Sequence, residues 1–171
     1  MEILPGITGL AKGRRNVQCS NMVQYRDHCT FTKISIMPIT WTSALETGHP
    51  TIDAQHKDLI ATVDKLLEAC QQGQAVDKVG PTIDYLVSYT KRHFTEEESL
   101  MLKSNYPDSA EHRNLHVAFL QVVADMHAEL QKAGPTPTLV SKIVRTVSDW
   151  LISHIKQHDT KLAAHLKIAN T

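Results

Sequence analysis

Four successive stretches of this chain carry apolar side chains at the i, i+3, i+4, i+7 spacing of a single buried helical stripe, and that succession restricts the possible folds more than any other feature. The first runs from Ile52 through Leu59, Ile60, Val63, Leu66, Leu67 and Cys70 to a stop at Gly73. The second holds Ile83, Leu86, Val87, Thr90, Phe94, Leu100 and Met101 and ends before Pro107. Pro81 is expected in its first turn, where proline is tolerated. The third opens with Asp108 and Glu111 at capping-box spacing, continues through Leu115, Phe119, Val122, Val123, Met126 and Leu130, and closes at Gly134. The fourth follows "PTPT" with Leu139, Val140, Ile143, Val144, Val147, Trp150, Leu151 and Ile155. Short connections make neighbouring helices antiparallel. The predicted fold is therefore all-α, an up-down-up-down four-helix bundle, with "DTKLAAHLKI" adding a short C-terminal helix.

Residues 1–36 break this pattern. "LPGITGLAKGRRNVQCS" has no helical period and is punctuated by Gly and Pro, whereas Met37 begins "MPITW", a serviceable start of a chain. Two readings stay open: a dispensable extension over 1–36, or a genuine arm before a bundle spanning 37–171. The 171 residues suit one domain with a real core, and the absence of formal net charge gives no sign of a nucleic-acid or membrane-surface partner. No apolar run reaches the roughly 18 residues of a membrane span, and the N-terminus lacks the order of a signal peptide. The three cysteines, Cys19, Cys29 and Cys70, form no CxxC, which suits a reducing, cytoplasmic setting with Cys70 as a small core residue.

Ten histidines beside three Phe and two Trp are unusual, and several interrupt the apolar stripes. His56 lies near the start of the first helix, His93 and Glu97 near the end of the second, His112 and His116 near the start of the third, and His154 and Asp159 at the end of the fourth. In an up-down bundle these ends meet. At ~1.5 Å rise per residue the intruders converge within a slab about two turns thick. His93/Glu97 and His112/His116 are i, i+4 pairs that share a face, while the wider His154–Asp159 interval suits two ligands reaching different atoms of one site. A lone histidine on such a stripe is ordinarily a core residue bonded to a carbonyl. Five, with two carboxylates, at one level would each cost ~1–3 kcal/mol without partners, and a shared metal removes that cost. Imidazole with carboxylate and no thiolate suits iron, and also manganese, cobalt or zinc. The set is too large for one tetrahedral zinc. Two octahedral ions sharing both carboxylates and one bridging oxygen leave a single position open, on one ion, for a small ligand.

"IDAQH" (Ile52–His56), "HFTEEESLM" (His93–Met101), "YPDSAEHRNLH" (Tyr106–His116) and "WLISHIKQHD" (Trp150–Asp159) together resemble the hemerythrins, in particular the bacterial hemerythrin-like proteins, over about residues 37–160. The resemblance implies two irons. His112, His116 and His154 would hold one; His56 and His93 would hold the other, which keeps the open position. Glu97 and Asp159 would bridge them beside an oxo or hydroxo group. It further implies reversible O2 binding, with the oxygen reduced by both ferrous ions and kept as hydroperoxide. Leu59, Ile60, Phe94, Trp150 and Leu151 neighbour the ligands and would form an apolar wall around the O2 pocket as well as core. Trp41 resembles the family's N-terminal tryptophan, which packs across a bundle end.

Other candidates are given blander roles. His49 reads as a loop residue; His127, His158 and His165 read as surface; Glu96 and Glu98 as a solvated face. Asp53 is expected to hydrogen-bond near the site, and the Lys156 stem to cover it. The expected function is a non-enzymatic oxygen carrier, store or delivery protein, a monomer with an oxygen-consuming enzyme as a possible recipient. The alternatives are a diiron oxidase or peroxidase and an oxygen or redox sensor. The ferritin-like oxidases use paired Glu-x-x-His motifs on helices. Here the one such spacing, Glu46–His49, contains Gly48 and precedes Pro50.

Overall fold

The computed structural model describes residues 39–72 and 74–169. The expected arm over 1–36, Met37 and Gly73 lie outside the described residues, as does the side chain of Cys70 expected in the core. After a 3-10 turn at Ser43–Leu45 come α1 (Pro50–Gln71), α2 (Ala75–Ser104), α3 (Ser109–Ala133) and α4 (Pro137–His154). A π-helical turn, Ile155–Asp159, then leads without a break into α5 (Thr160–Ala169). Helices α1 and α3 each pack against both α2 and α4, which is the up-down bundle the stripes predict. Among the described residues there is no strand, and no helix is long and apolar enough to cross a membrane.

Local chemistry sets the helix ends. Asp53, expected beside the polar cluster, instead ties down the approach to α1. Its carboxylate accepts from the Thr47 amide and hydroxyl, each at 2.8 Å, and from the Gly48 amide at 3.1 Å. α2 ends where Asn105 enters the left-handed region at φ 53° and the Tyr106 amide closes on Met101 O at 2.9 Å. α4 starts at a Thr136 cap whose hydroxyl accepts from the Leu139 amide at 3.2 Å, with Pro137 in the first turn. The capping box expected for α3 does not form. Asp108 occupies the cap position with φ −90° and ψ 17°, not the extended backbone that turns a cap side chain onto the helix amides, and makes no side-chain cap bond.

Two readings of the stripes are corrected. α2 begins at Ala75, so Pro81 lies inside the helix and not in its first turn. The fully buried Val79 carries the apolar stripe a turn further back, and the Pro81 ring is accommodated because it faces solvent. Val87 and Val122 sit on the flank of their helices, 36% and 38% exposed. Tyr89 takes the inner position beside Leu86, its hydroxyl 3.2 Å from Asp58 Oδ2.

The apolar core is divided. A large cluster runs from Leu59, Ile60 and Val63 on α1 through Phe94, Phe119, Val140 and Ile143 to Leu151 and Ile155. Trp41 packs on it, with Lys57 Nζ 5.0 Å from the ring centroid. A small cluster of Ile52, Met101, Tyr106, Leu162 and Leu166 closes the other side. On α1, on α2 and along the run from α4 into α5 the polar intruders fall where the large cluster gives way to the small one, and on α3 they precede Phe119 of the large cluster. α5 therefore seals one end of the polar layer, a role its sequence alone did not indicate. Ile143→Ala, at a fully buried site, should cost about 2–5 kcal/mol. Pro81→Ala should instead stabilise, by up to about 3 kcal/mol, by restoring a helix-interior N–H. Denaturant midpoints of the two variants check both signs.

Candidate metal centre

His56, His93, Glu97, His112, His116, His154 and Asp159 are all brought together and all buried. His112 Nε2 lies 2.9 Å from His154 Nε2, and His116 Nε2 lies 3.1 Å from the same atom. Asp159 spans the cluster. Its Oδ1 is 3.1 Å from the Nε2 atoms of both His112 and His154, and its Oδ2 is 3.1 Å from His56 Nε2. Glu97 spans it from the opposite helix, with Oε1 3.6 Å from His93 Nε2 and Oε2 3.3 Å from His116 Nε2. The donors thus divide into three imidazoles on one side and two on the other, with a carboxylate oxygen of each acid turned to each side. The rings of His56 and His93 meet edge-on at 5.0 Å.

The π turn brings Asp159 into this arrangement. In an α-helix the residue beneath His154 would be His158. The extra residue accommodated by the wider i→i+5 turn moves Asp159 into the cluster, its Oδ1 against the His154 ring nitrogen. The interval of five suits two ligands at one site, and the π turn is the winding that brings Asp159 there.

Two tests bear on whether a cation fits. The first is satisfaction. Despite the 3.1 Å approaches of Asp159 to His56, His112 and His154, hydrogen-bond geometry leaves buried side-chain atoms without a partner among the described residues, including both ring nitrogens of His56, His112 Nδ1 and all four oxygens of Glu97 and Asp159. Such atoms are costly unless something binds them. The second is geometry. Glu97, His112, His116 and His154 offer ligand atoms within 4.8 Å of one another, and so do His56, His93 and Glu97. Adjacent corners of an octahedron with metal–nitrogen bonds of ~2.1 Å lie ~3.0 Å apart. The 2.9 and 3.1 Å separations of the Nε2 atoms match that spacing. Without a cation, unprotonated nitrogens held this close would turn lone pairs on one another.

Electrostatics agree. Burial, reinforced by neighbouring histidines, lowers His93 to about 3 and His116 to about 2, so both rings are neutral and able to ligate at neutral pH. Burial and Asp159 push Glu97 well above the usual carboxylate range. Burial would raise Asp159 too, but His112, His154 and His56 hold it well below its ordinary value. Two anions in one dry layer cannot both stay ionised cheaply without positive charge between them.

Behind the inward atoms stand residues whose part the sequence reading missed. Glu98, expected in solvent, is half-buried and lies 3.2 Å from His116 Nδ1, with its other oxygen 3.3 Å from Arg113 Nε. Gln55 reaches His93 Nδ1 at 2.8 Å and Glu96 at 2.5 Å. The available signal was their adjacency to ligands, Gln55 before His56 and Glu98 after Glu97. Of the expected wall, Leu59, Ile60 and Leu151 are buried in the large cluster. Phe94 stacks on His116 at 3.8 Å and Trp150 on His154 at 4.2 Å, so both rings cover the three-histidine side. His158, expected on the surface, is half-buried, its ring 5.4 Å from that of His154. His165 is also half-buried, with Nε2 2.9 Å from the carbonyl of Ser104. His127 stays at the periphery beside Asp84, His49 precedes α1 as expected, and Lys156 is exposed.

A four-helix bundle with a buried histidine and carboxylate layer of this kind defines a class of metal-binding bundle proteins. A family model, the hemerythrin HHE cation binding domain, matches residues 47–166. The chain belongs to the hemerythrin family. It is 35% identical over 130 residues to a bacteriohemerythrin of Stenotrophomonas maltophilia, spanning 75% of this chain and 82% of that one. It is 34% identical over 122 residues to a bacteriohemerythrin of Methylococcus capsulatus, covering 71% and 91% of the two chains. A myohemerythrin of Theromyzon tessulatum is 25% identical over 131 residues, 75% of this chain and 94% of its own. A crystal structure of wild-type hemerythrin superposes with a TM-score of 0.66 at 30% identity, covering 76% of this chain and 98% of that one.

The depressed histidines fix the sign of acid sensitivity. Their stabilisation is complete above the unfolded value near 6.5 and is lost as pH falls from there through about 3 and about 2. Glu97, raised, acts oppositely: its contribution is present in acid and lost as pH rises through its elevated value. Chelator-stripped protein should therefore be most stable at mildly acidic pH, and cation loading should move the optimum upward. Thermal midpoints measured against pH for the stripped and loaded chain check this; coincident curves would contradict it.

Proposed function

We propose that this protein is a non-enzymatic oxygen-binding protein that holds two iron ions. His112, His116 and His154 would hold one, His56 and His93 the other, with Glu97 and Asp159 shared. The observation that carries the reading is the unequal division of the donors, three imidazoles against two, with both carboxylates turned to both sides. An unequal pair leaves one ion with room for a small ligand. Bound iron supplies the two electrons that reversible O2 binding requires. The names of the relatives, bacteriohemerythrin and myohemerythrin, support the same reading.

The chain's own residues do the rest. Leu59, Ile60 and Leu151 exclude water from the layer, and Phe94 and Trp150 close its three-histidine side. Glu97 and Asp159 supply the negative charge that two cations need. α5 and the small apolar cluster separate the layer from solvent at the bundle end. The role would be carriage, storage or delivery to an oxygen-consuming enzyme, by a cytoplasmic monomer. An oxidase or peroxidase is disfavoured by a donor set richer in imidazole than in carboxylate. The one Glu-x-x-His spacing, Glu46–His49, lies before α1 and off the bundle's inner layer.

The deciding experiment is an anaerobic-to-aerobic optical titration of iron-loaded protein, with metal analysis expected to give about two irons per chain. Continuous turnover of reductant and O2 with no lasting oxygenated form would replace this reading by the oxidase one. Glu97→Gln should lower iron content, whereas Leu59→Ala or Leu151→Ala should keep iron but shorten the life of the oxygenated protein by admitting water; stopped-flow spectra follow both. A chain beginning at Met37 should retain iron and its thermal transition, since residues 1–36 precede the matched domain.

A further inference from the structure

Two buried imidazoles are held from behind by chemically different partners. His116 Nδ1 is 3.2 Å from Glu98 Oε1, a carboxylate. His93 Nδ1 is 2.8 Å from Gln55 Oε1, a neutral amide. Each partner is itself fixed. Arg113 Nε lies 3.3 Å from the free oxygen of Glu98. Gln55 Nε2 donates to Glu96 Oε2, which orients the amide nitrogen away from His93 and leaves only its oxygen facing the ring. Both an amide oxygen and a carboxylate oxygen accept. Each ring must therefore carry its proton on Nδ1 and turn a bare Nε2 into the layer. His56 and His112, by contrast, have no hydrogen-bond partner on Nδ1 among the described residues.

The two acceptors are not equivalent. A carboxylate draws the Nδ1 proton toward itself and makes the opposite nitrogen a stronger donor, while an amide does so far less. We infer that Glu98 and Gln55 are positioning residues that make the two halves of the layer electronically unequal, with the stronger imidazole donor, His116, on the three-histidine side. That side should then favour the more highly charged state of its ion, and the Gln55–His93 side should remain the weaker, more easily reduced partner. The inference rests on the diiron reading for its consequence but not for its geometry.

The test exchanges the two acceptors in the full-length protein. In the iron-loaded form, Glu98→Gln should raise the midpoint potential and change the Mössbauer signal of one iron, and Gln55→Glu should lower the potential and change the signal of the other. Potentials and signals unchanged in variants that still load iron would overturn the inference. Where Glu98→Gln loads poorly, Glu98→Asp should restore the wild-type potential, and Arg113→Gln, which leaves the Glu98–His116 contact in place, should lower it by unmasking the carboxylate. In the diamagnetic zinc-loaded chain, the His116 Nδ1–H resonance should move upfield in Glu98→Gln and return in Glu98→Asp, with His93 unmoved. An unmoved His116 resonance would sink the inference whatever the oxygen chemistry. The expected shift in a protein that binds no oxygen would leave it standing and remove the proposed function instead.

Discussion

Convergence of ionisable groups inside a bundle sets the terms for everything else in this chain. Unpaired, each buried imidazole or carboxylate would oppose folding by an amount comparable with what a large apolar residue contributes to it. Confined to one layer, they can share a single remedy. The layer is therefore thin, contributed by all four long helices, and bounded by apolar clusters on both sides. Stability and function draw on the same atoms here. The nitrogens and oxygens that would make the layer expensive without a cation are the ones that give it affinity for cations.

The parts legible in the sequence were those set by helical period. Six of the inward donors follow from position along a stripe and from which helix ends meet, because in a regular helix a side chain's face depends on residue count alone, whereas Asp159 needs the π turn to join them. Features that depend on what lies across the interface were not legible. Nothing in the order of residues around Glu98 says that its carboxylate lies one ring away from the polar layer; that depends on where α3 places His116. Gln55 likewise needs α2 beside it before it has a partner. Val79 and Pro81 show a different limit. Proline looks like a boundary, yet a buried valine two residues earlier outweighs it when the ring faces outward. Asp108 shows another, since the spacing of a capping box says nothing about the backbone angles that would let it form.

The aromatic side chains around the layer illustrate one residue meeting two demands. Phe94 follows a ligand-bearing position and would be core in any bundle, but its near-parallel stack on His116, 3° between planes, also fixes the pitch of that ring. Trp150 does the same for His154 from one turn below, and itself lies against Phe119 at 3.8 Å. Packing reaches the inward nitrogens through these stacks, so imidazole orientation is set both by hydrogen bonds behind the rings and by apolar contact on their faces.

The π turn places an unusual demand on sequence change. Lys156 and Gln157 are exposed, so side chains there can vary with little effect on packing. Their number cannot. Loss of one residue between His154 and Asp159 would return the segment to α-helical winding and rotate everything beyond it by about 100°. Leu162 and Leu166 would then leave the small cluster as Asp159 shifted against its neighbours. Across lineages, Lys156 and Gln157 should drift freely in composition while Ile155 stays apolar and the stretch remains closed to insertion and deletion.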